Sequence, residues 1–149
     1  MSKITGTEIN FITKNCIEAL KTYKNIFGNA LEVVEESDFG LGKSEAIFNL
    51  YGTRFHMLDP NPDFGMIAPS DDHMNTIWFN IAVENIEETY KKAMENGCIE
   101  IQPITKMENM GISNAMFKDS YNYVWLLHEI HEVKSHEERV EALKEIGSI

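Results

Sequence analysis

The chain has 149 residues, of which 43% are apolar and 25% charged, ordinary values for one globular domain that buries about two thirds of its unfolded surface. The net charge of −11 argues against nucleic acid as a partner, since its phosphates would be repelled, and favours cationic or neutral small molecules. The opening MSKITGTE lacks the apolar run of a secretory signal, and no stretch is apolar enough for a membrane span. We therefore expect a cytoplasmic protein that binds a small molecule and neither nucleic acid nor membrane.

The first part of the chain predicts a strand, a helix and then further strands. Glu8 to Thr13 alternates polar and apolar residues, as a half-buried strand does. Cys16 to Phe27 has apolar residues at helical spacing and follows Asn15, a favoured capping residue. Three more strands are expected, at Leu31 to Glu36, Glu45 to Leu50 and Thr53 to Leu58, and the last two form a hairpin around the turn Tyr51-Gly52.

The second part repeats this pattern at an offset of 70 residues, which places Asn80 on Asn10. Trp78 to Val83 predicts a buried strand, and the helix after it is capped by Asn85 and ends at Gly97. The remaining expected features are a strand at Cys98 to Ile101, a loop around Pro103, a turn near Gly111 and a closing hairpin at Tyr121-Asn122. Two βαβββ modules are therefore predicted, as in a duplicated half-domain.

The segments outside the repeat are a linker and a tail. Residues 61–75 are rich in proline and acidic residues without periodicity, which predicts a linker and candidate lid between the modules. The tail predicts a helix from a cap at Ser135 to an exit at Gly147, with Val140, Leu143 and Ile146 as its apolar line. The chain is thus divided into module one (1–60), the linker (61–75), module two (76–132) and a C-terminal helix (133–149).

The cysteines Cys16 and Cys98 fall at different places in the two modules, so a disulfide is not expected in a reducing compartment. Cys16 stands at a predicted helix N-terminus, where the helix dipole can lower the pKa of a thiol. Burial as a small apolar residue is the favoured alternative.

Three segments carry a resemblance to a known family: YKNIFG at Tyr23 to Gly28, HMLDP at His56 to Pro60, and VENI at Val83 to Ile86. In their order and spacing they resemble the vicinal oxygen chelate superfamily of glyoxalase I, extradiol dioxygenases and bleomycin-resistance proteins, and most of all its PhnB-like branch. The resemblance runs from about Glu8 to Glu129. It implies an α+β fold in which two βαβββ modules form a cupped mixed sheet, here with an added C-terminal helix, and it implies a homodimer.

In metal-using members, the resemblance implies one ligand on the first and one on the last strand of each module. These positions fall on Glu8, His56, Trp78 and Leu126. A catalytic divalent metal typically needs three protein ligands, and Trp78 and Leu126 offer no donor. We therefore expect no metal site and no cofactor.

Strand alternation predicts which side chains share the cup with Glu8 and His56. The predicted ligand-binding residues are Asn10, Arg54, Trp78, Asn80, Leu126 and His128. On the opposite side, Phe11, Phe55, Phe79 and Trp125 are expected to face the helices.

Several of these residues have two interpretations. Glu8 and His56 are the candidate catalytic pair, because a carboxylate can orient an imidazole as a general base; the alternative is a solvated glutamate beside a hydrogen-bonded histidine. Arg54 would clamp a substrate carboxylate or phosphonate, or else pair with Glu8. Trp78 would stack on a planar ligand, although packing in the core is the commoner role of tryptophan.

The sequence leaves open whether the protein is an enzyme. The first hypothesis is a metal-independent protein that holds a small aromatic or cationic molecule in the cup, as bleomycin-resistance proteins do. The alternative is a lyase, isomerase or dioxygenase-type enzyme that uses Glu8 and His56 as an acid–base pair or recruits a metal through them with help from the linker.

Overall fold

The computed structural model describes residues 3–40, 42–72 and 76–147. The chain divides into two compact units, Met1–His73 and Met74–Ile149. The last residues of the predicted linker, from His73 to Asn75, lie outside the described residues. Within the described residues, no helix combines the length and apolar character needed to span a membrane.

The first unit has the predicted order of strand, helix and three strands. Its elements are β1 (Ile9–Ile12), α1 (Cys16–Phe27), β2 (Leu31–Asp38), β3 (Ser44–Leu50) and β4 (Thr53–Leu58). The strands form a mixed sheet of order β1-β4-β3-β2, in which β1 and β4 are parallel and the other pairs antiparallel. One sheet face carries Phe11, Phe48 and Phe55, which are buried and in ring contact with one another. Tyr23 of α1 joins this cluster, so this face packs against the helix as predicted.

The second unit repeats the arrangement and adds a helix. Its elements are β5 (Phe79–Ala82), α2 (Ile86–Glu95), β6 (Ile99–Met107), β7 (Ile112–Lys118), β8 (Val124–Ile130) and α3 (His136–Glu145). The sheet order β5-β8-β7-β6 matches that of the first unit. Phe79 and Trp125 are buried with ring centroids 4.7 Å apart. These two sheets and three helices confirm the predicted α+β fold with a C-terminal helix.

The start of each long helix shows the repeat in its hydrogen bonds. Asn15 and Asn85 accept hydrogen bonds from the backbone amides three residues on, which confirms both predicted caps. A carboxylate from the end of the last strand or just beyond it also accepts from the first residue of each helix: Asp59 from Cys16 at 2.9 Å and Glu129 from Ile86 at 3.3 Å. Each helix end is thereby tied to its own sheet.

The two predicted hairpin turns contain residues with left-handed backbone conformation, as expected from the sequence. Tyr51 and Gly52 have φ of 46° and 84° and form the hairpin between β3 and β4. Asn122 takes φ of 71° in the closing hairpin. That hairpin is longer than predicted, since a bond from Asp119 N to Tyr123 O leaves Ser120 in the loop as well.

The predictions for Pro103 and Ile146 in the second unit are wrong. Pro103 lies inside β6 rather than in a loop; β6 is an edge strand with an irregular register at this point, where a residue without an N–H costs little. Ile146 is 57% exposed and lies beyond the end of α3, whereas Ala142 is the buried residue of that helix.

Thr13 provides a test of the packing in the first unit. Its side chain is fully buried, and among the described residues its hydroxyl has no hydrogen-bond partner, while its backbone N–H donates to Leu58 O. Val83 makes the same backbone bond to His128 O in the second unit. We expect Thr13→Val to raise the free energy of unfolding by about 1 kcal/mol, because it removes an unsatisfied buried hydroxyl without changing the shape.

Chemical denaturation measures this change. Thr13→Ser, which keeps the hydroxyl and loses the methyl group, is the control and should be less stable than the natural protein. A valine variant less stable than the natural protein would contradict the assignment of an unsatisfied hydroxyl.

Candidate functional site

A cluster of charged side chains in the first unit surrounds His56. Nδ1 of His56 lies 2.9 Å from Glu8 Oε1, and Nε2 lies 2.9 Å from Glu45 Oε2. Glu8 also accepts a hydrogen bond from Arg54 Nε at 2.9 Å. We call Glu8, Glu45, Arg54 and His56 the His56 cluster. Of the two roles considered for Arg54, the structure shows pairing with Glu8.

Strand register brings the cluster together. Asn10 of β1 lies beside His56 of β4, and His56 lies opposite Ile47 of β3. Glu45 is two residues from Ile47 and therefore shares its face. The sequence analysis missed Glu45, although the Tyr51-Gly52 turn fixes the β3–β4 register and would have placed it diagonally across from His56.

Electrostatics favour a charged imidazole in this cluster. Partial burial alone lowers the pKa of His56, but hydrogen bonds and charge from Glu8 and Glu45 outweigh it and raise the pKa above the usual 6.5. Hydrogen bonds from Arg54 and His56 lower the pKa of the Glu8 carboxyl. An imidazole that donates from both ring nitrogens is the cation, so the bonds and the pKa shifts agree.

These shifts predict a pH window for stability. Because folding raises the pKa of His56, its contribution is complete below about pH 6.5 and is lost as the pH rises through the folded-state value. Because folding lowers the pKa of Glu8, its contribution is complete above about pH 4.5 and is lost as the pH falls. We therefore expect the stability difference between the natural protein and His56→Gln to be largest between these values.

Denaturant titrations of both proteins across this range measure the difference. A difference that grows steadily above pH 6.5 would contradict a charged His56.

Of the four positions at which the resemblance implies metal ligands, two carry no donor and two are engaged by other side chains. Both nitrogens of His56 are engaged by carboxylates, and Trp78 and Leu126 carry no metal donor. Glu8 is held by Arg54 and His56. Among the described residues, no group of three or more histidine, cysteine, aspartate or glutamate side chains is arranged to hold a metal ion.

The second unit has a cleft on the open face of its sheet. Its volume is about 340 Å³, and it is lined by Asn80, Ala82, Met110, Ile112, His128, Ile130 and Arg139. His128 Nδ1 lies 2.6 Å from Asn80 Oδ1, and burial lowers the pKa of His128. The amide oxygen accepts from Nδ1–H, which leaves the neutral imidazole with a lone pair on Nε2. The structure thus brings two predicted ligand-binding residues into one cleft.

The other predicted residues are placed as follows. Trp78 is 53% exposed, so packing in the core, the favoured alternative, is wrong. Leu126 lies beside Asn80 in the sheet register and is partly exposed.

Burial and the nearby Asp59 raise the pKa of the Cys16 thiol to about 12. The interpretation of Cys16 as an activated thiol is therefore wrong, and its burial as a small residue is confirmed. Arg139 belongs to none of the predicted sites, because it lies in the tail helix outside the repeat.

Solved structures provide comparisons for the fold. FosX of Listeria monocytogenes, a fosfomycin resistance protein solved with Mn(II) and a sulfate ion, is similar at 22% identity and a TM-score of 0.61, over 93% of this chain and 99% of that chain. A glyoxalase family protein from Bacillus cereus is similar at 12% identity and a TM-score of 0.64, over 87% and 95% of the two chains. The PhnB protein of Bacillus cereus is similar at 18% identity and a TM-score of 0.61, over 83% and 98%.

Comparison of the sequence with protein families and with curated proteins finds no match. At the identities of the solved structures, likeness establishes the fold and not the activity. The two repeated units and these neighbours together confirm the predicted resemblance at that level: the chain has the α+β fold of the vicinal oxygen chelate superfamily.

Proposed function

We propose that the protein binds a small molecule on the open face of its sheets without a metal at the positions the superfamily uses. The observation that supports this most strongly is His56, whose two ring nitrogens both lie 2.9 Å from carboxylate oxygens. A metal could bind there only after one of these contacts broke and the imidazole lost a proton. The His56 cluster is therefore better suited to fixing the sheet face than to holding a metal.

The cleft of the second unit is the proposed binding place. Small-molecule sites are usually concave and apolar with a few well-placed polar groups, and this cleft combines Ile112, Ile130 and Met110 with Asn80 and His128. Four further residues remain predicted ligand contacts, each within its own unit: Asn10, Arg54, Trp78 and Leu126.

The second candidate is an enzyme of the lyase, isomerase or dioxygenase type. The contact between Glu8 and His56 supports it, since paired carboxylate and imidazole groups carry out proton transfer in many active sites. With both nitrogens protonated, His56 would act as the acid and not as the base. FosX of Listeria monocytogenes was solved with Mn(II), and a metal-dependent reaction here would need a nitrogen of His56 to be released.

Native mass spectrometry tests the proposal. We expect protein exposed to Mn(II), Ni(II) or Zn(II) and then desalted to have the mass of the metal-free chain. His56→Ala is expected to keep small-molecule binding if the first candidate is right and to abolish turnover if the second is right. A stoichiometric metal that is removed by a chelator and absent from His56→Ala would overturn the metal-free proposal.

We also propose a homodimer in the cytoplasm. The dimer rests on the resemblance to the superfamily, and the location is supported by two cysteines that are buried and free. Light scattering coupled to size-exclusion chromatography tests the dimer, and a monomer mass would contradict it.

A further inference from the structure

We propose that the cleft of the second unit takes a small oxyanion that carries a hydroxyl or N–H group beside a short apolar chain, and that Arg139 binds the anion. This inference rests on the proposed small-molecule function and names the chemical class of its ligand. Three polar side chains, Asn80, His128 and Arg139, line the cleft together with an apolar wall.

Arg139 lines the cleft and, in the part of the chain that the structure describes, has no acidic partner. Of the two arginines in the chain, Arg54 is paired with Glu8, whereas Arg139 enters none of the ion pairs among the described residues. Its neighbours at helical spacing are Ser135, His136, Ala142 and Leu143, and none is acidic. A guanidinium offers a planar fork of donors that matches a carboxylate or another oxyanion.

Three of the four acidic residues of α3 have partners: Glu145 accepts a hydrogen bond from Asn109 at 2.9 Å, and the other two lie near lysines. Glu138 lies 3.8 Å from Lys134, and Glu141 lies 3.2 Å from Lys144. The helix as a whole stays acidic, because α3 carries four glutamates against two cations, Arg139 and Lys144. Arg139 lines the cleft and these glutamates do not. A charge in direct contact with a bound group acts on it more strongly than charges farther away, whose fields are screened over about 8–10 Å at ordinary salt.

His128 adds a second requirement on the ligand. Because Nδ1 is engaged by Asn80 and the imidazole is neutral, Nε2 can only accept a hydrogen bond. The group that it meets must therefore be a donor, such as a hydroxyl or an N–H. An anion with no donor would leave this lone pair unsatisfied.

The rest of the lining sets the size and polarity of the ligand. Ala82, Met110, Ile112 and Ile130 provide an apolar wall, and the volume of about 340 Å³ is at the small end of ligand sites. Met110 can adapt to different chain shapes because its side chain is unbranched and flexible. Short 2-hydroxy carboxylates combine an oxyanion, a donor and an apolar chain and are suitable probes.

The test uses the full chain and probes of known structure. Lactate, 2-hydroxybutyrate and 2-hydroxyisocaproate are titrated beside their neutral amides and beside isocaproate, which lacks the hydroxyl. Binding is followed by ¹H–¹⁵N correlation spectra, reading the amides of Ala82, Ile112 and Ile130. We expect 2-hydroxyisocaproate to shift these amides and to bind about ten-fold more tightly than its amide or than isocaproate.

Two variants assign the anion contact. Arg139→Gln is expected to weaken 2-hydroxyisocaproate about ten-fold and to leave the binding of its amide unchanged. Lys144→Gln, which removes a cation of the same helix that does not line the cleft, is the matched control and should bind as the natural protein does.

Each other result overturns the inference in a recognisable way. Equal binding of acid and amide, or an Arg139→Gln variant that keeps the preference for the acid, would show a small-molecule cleft that does not select anions, and the proposed function would stand. If none of these probes shifted the cleft amides, the ligand class would be wrong, while metal-free binding would still be decided by the native mass measurement.

Discussion

Asp119→Ala is expected to lower the free energy of unfolding by about 3–5 kcal/mol, because a buried carboxylate that accepts several hydrogen bonds is lost. Asp119 is 2% exposed. Its Oδ1 accepts from the backbone amides of Tyr121 and Tyr123 at 2.8 and 3.0 Å, and its Oδ2 accepts from the indole of Trp125 at 2.8 Å. Alanine would leave all three donors without this partner in the interior.

Asp119→Asn is the matched control for this prediction. The amide keeps one oxygen for the backbone donors but presents an NH₂ group to the indole N–H, so we expect an intermediate loss. Denaturant unfolding followed by tryptophan fluorescence measures both variants. An alanine variant within about 1 kcal/mol of the natural protein would contradict the role of Asp119 in fixing the closing hairpin. The hairpin matters to the site because it leads into β8, the strand that carries Leu126 and His128.

The second large effect is expected at Gly111, next to the cleft. Gly111 has φ of 71°, and an added Cβ would overlap the backbone carbonyl oxygen of Glu132. The carbonyl oxygen of Gly111 accepts hydrogen bonds from the backbone amides of His131 and Glu132, so the turn is fixed against this neighbouring segment. We expect Gly111→Ala to cost about 3 kcal/mol or more, from left-handed backbone strain together with the overlap. Met110 and Ile112 line the cleft, so ligand binding should weaken as well.

Gly65→Ala separates the two causes. Gly65 has the same φ of 71°, but nothing lies within 4 Å of an added Cβ. We therefore expect it to cost only about 1–2 kcal/mol, the backbone strain alone. Thermal and chemical unfolding of both variants measure the difference. Equal losses of unfolding free energy at the two glycines would show that the chain around Glu132 moves to make room for the added Cβ at no cost in stability.

The sequence predicts most of the fold because local signals and the repeat agree. The helix from Cys16 to Phe27 has the predicted bounds, since a capping asparagine precedes it and a glycine ends it. The Tyr51-Gly52 turn sets the hairpin register and therefore the face on which Arg54 and His56 lie. The features that sequence reasoning misses depend on contacts between distant segments, such as the bond from the amide of Cys16 to Asp59.

The candidate site is predicted less completely. Alternation along the strands is enough to place Asn80 and His128 on one face. Placing Glu45 near His56 also requires the register between the two strands of the hairpin. Arg139 lies outside the repeat, and no local pattern connects a tail helix to a sheet face. Trp78 is exposed because it precedes β5 and is not part of the strand, a boundary that hydrophobicity does not mark.

The protonation state of His56 tests the central claim most directly. A long-range ¹H–¹⁵N spectrum of the histidine rings reports which nitrogens carry protons, with and without Mn(II) or Zn(II). We expect His56 to be mostly a doubly protonated imidazolium at pH 6.5, because its pKa is raised above that value, and we expect its signal to be unchanged by added metal and lost in His56→Gln. A neutral His56 with a bare nitrogen whose signal shifts or broadens on metal addition would contradict the account and favour a metal-dependent enzyme.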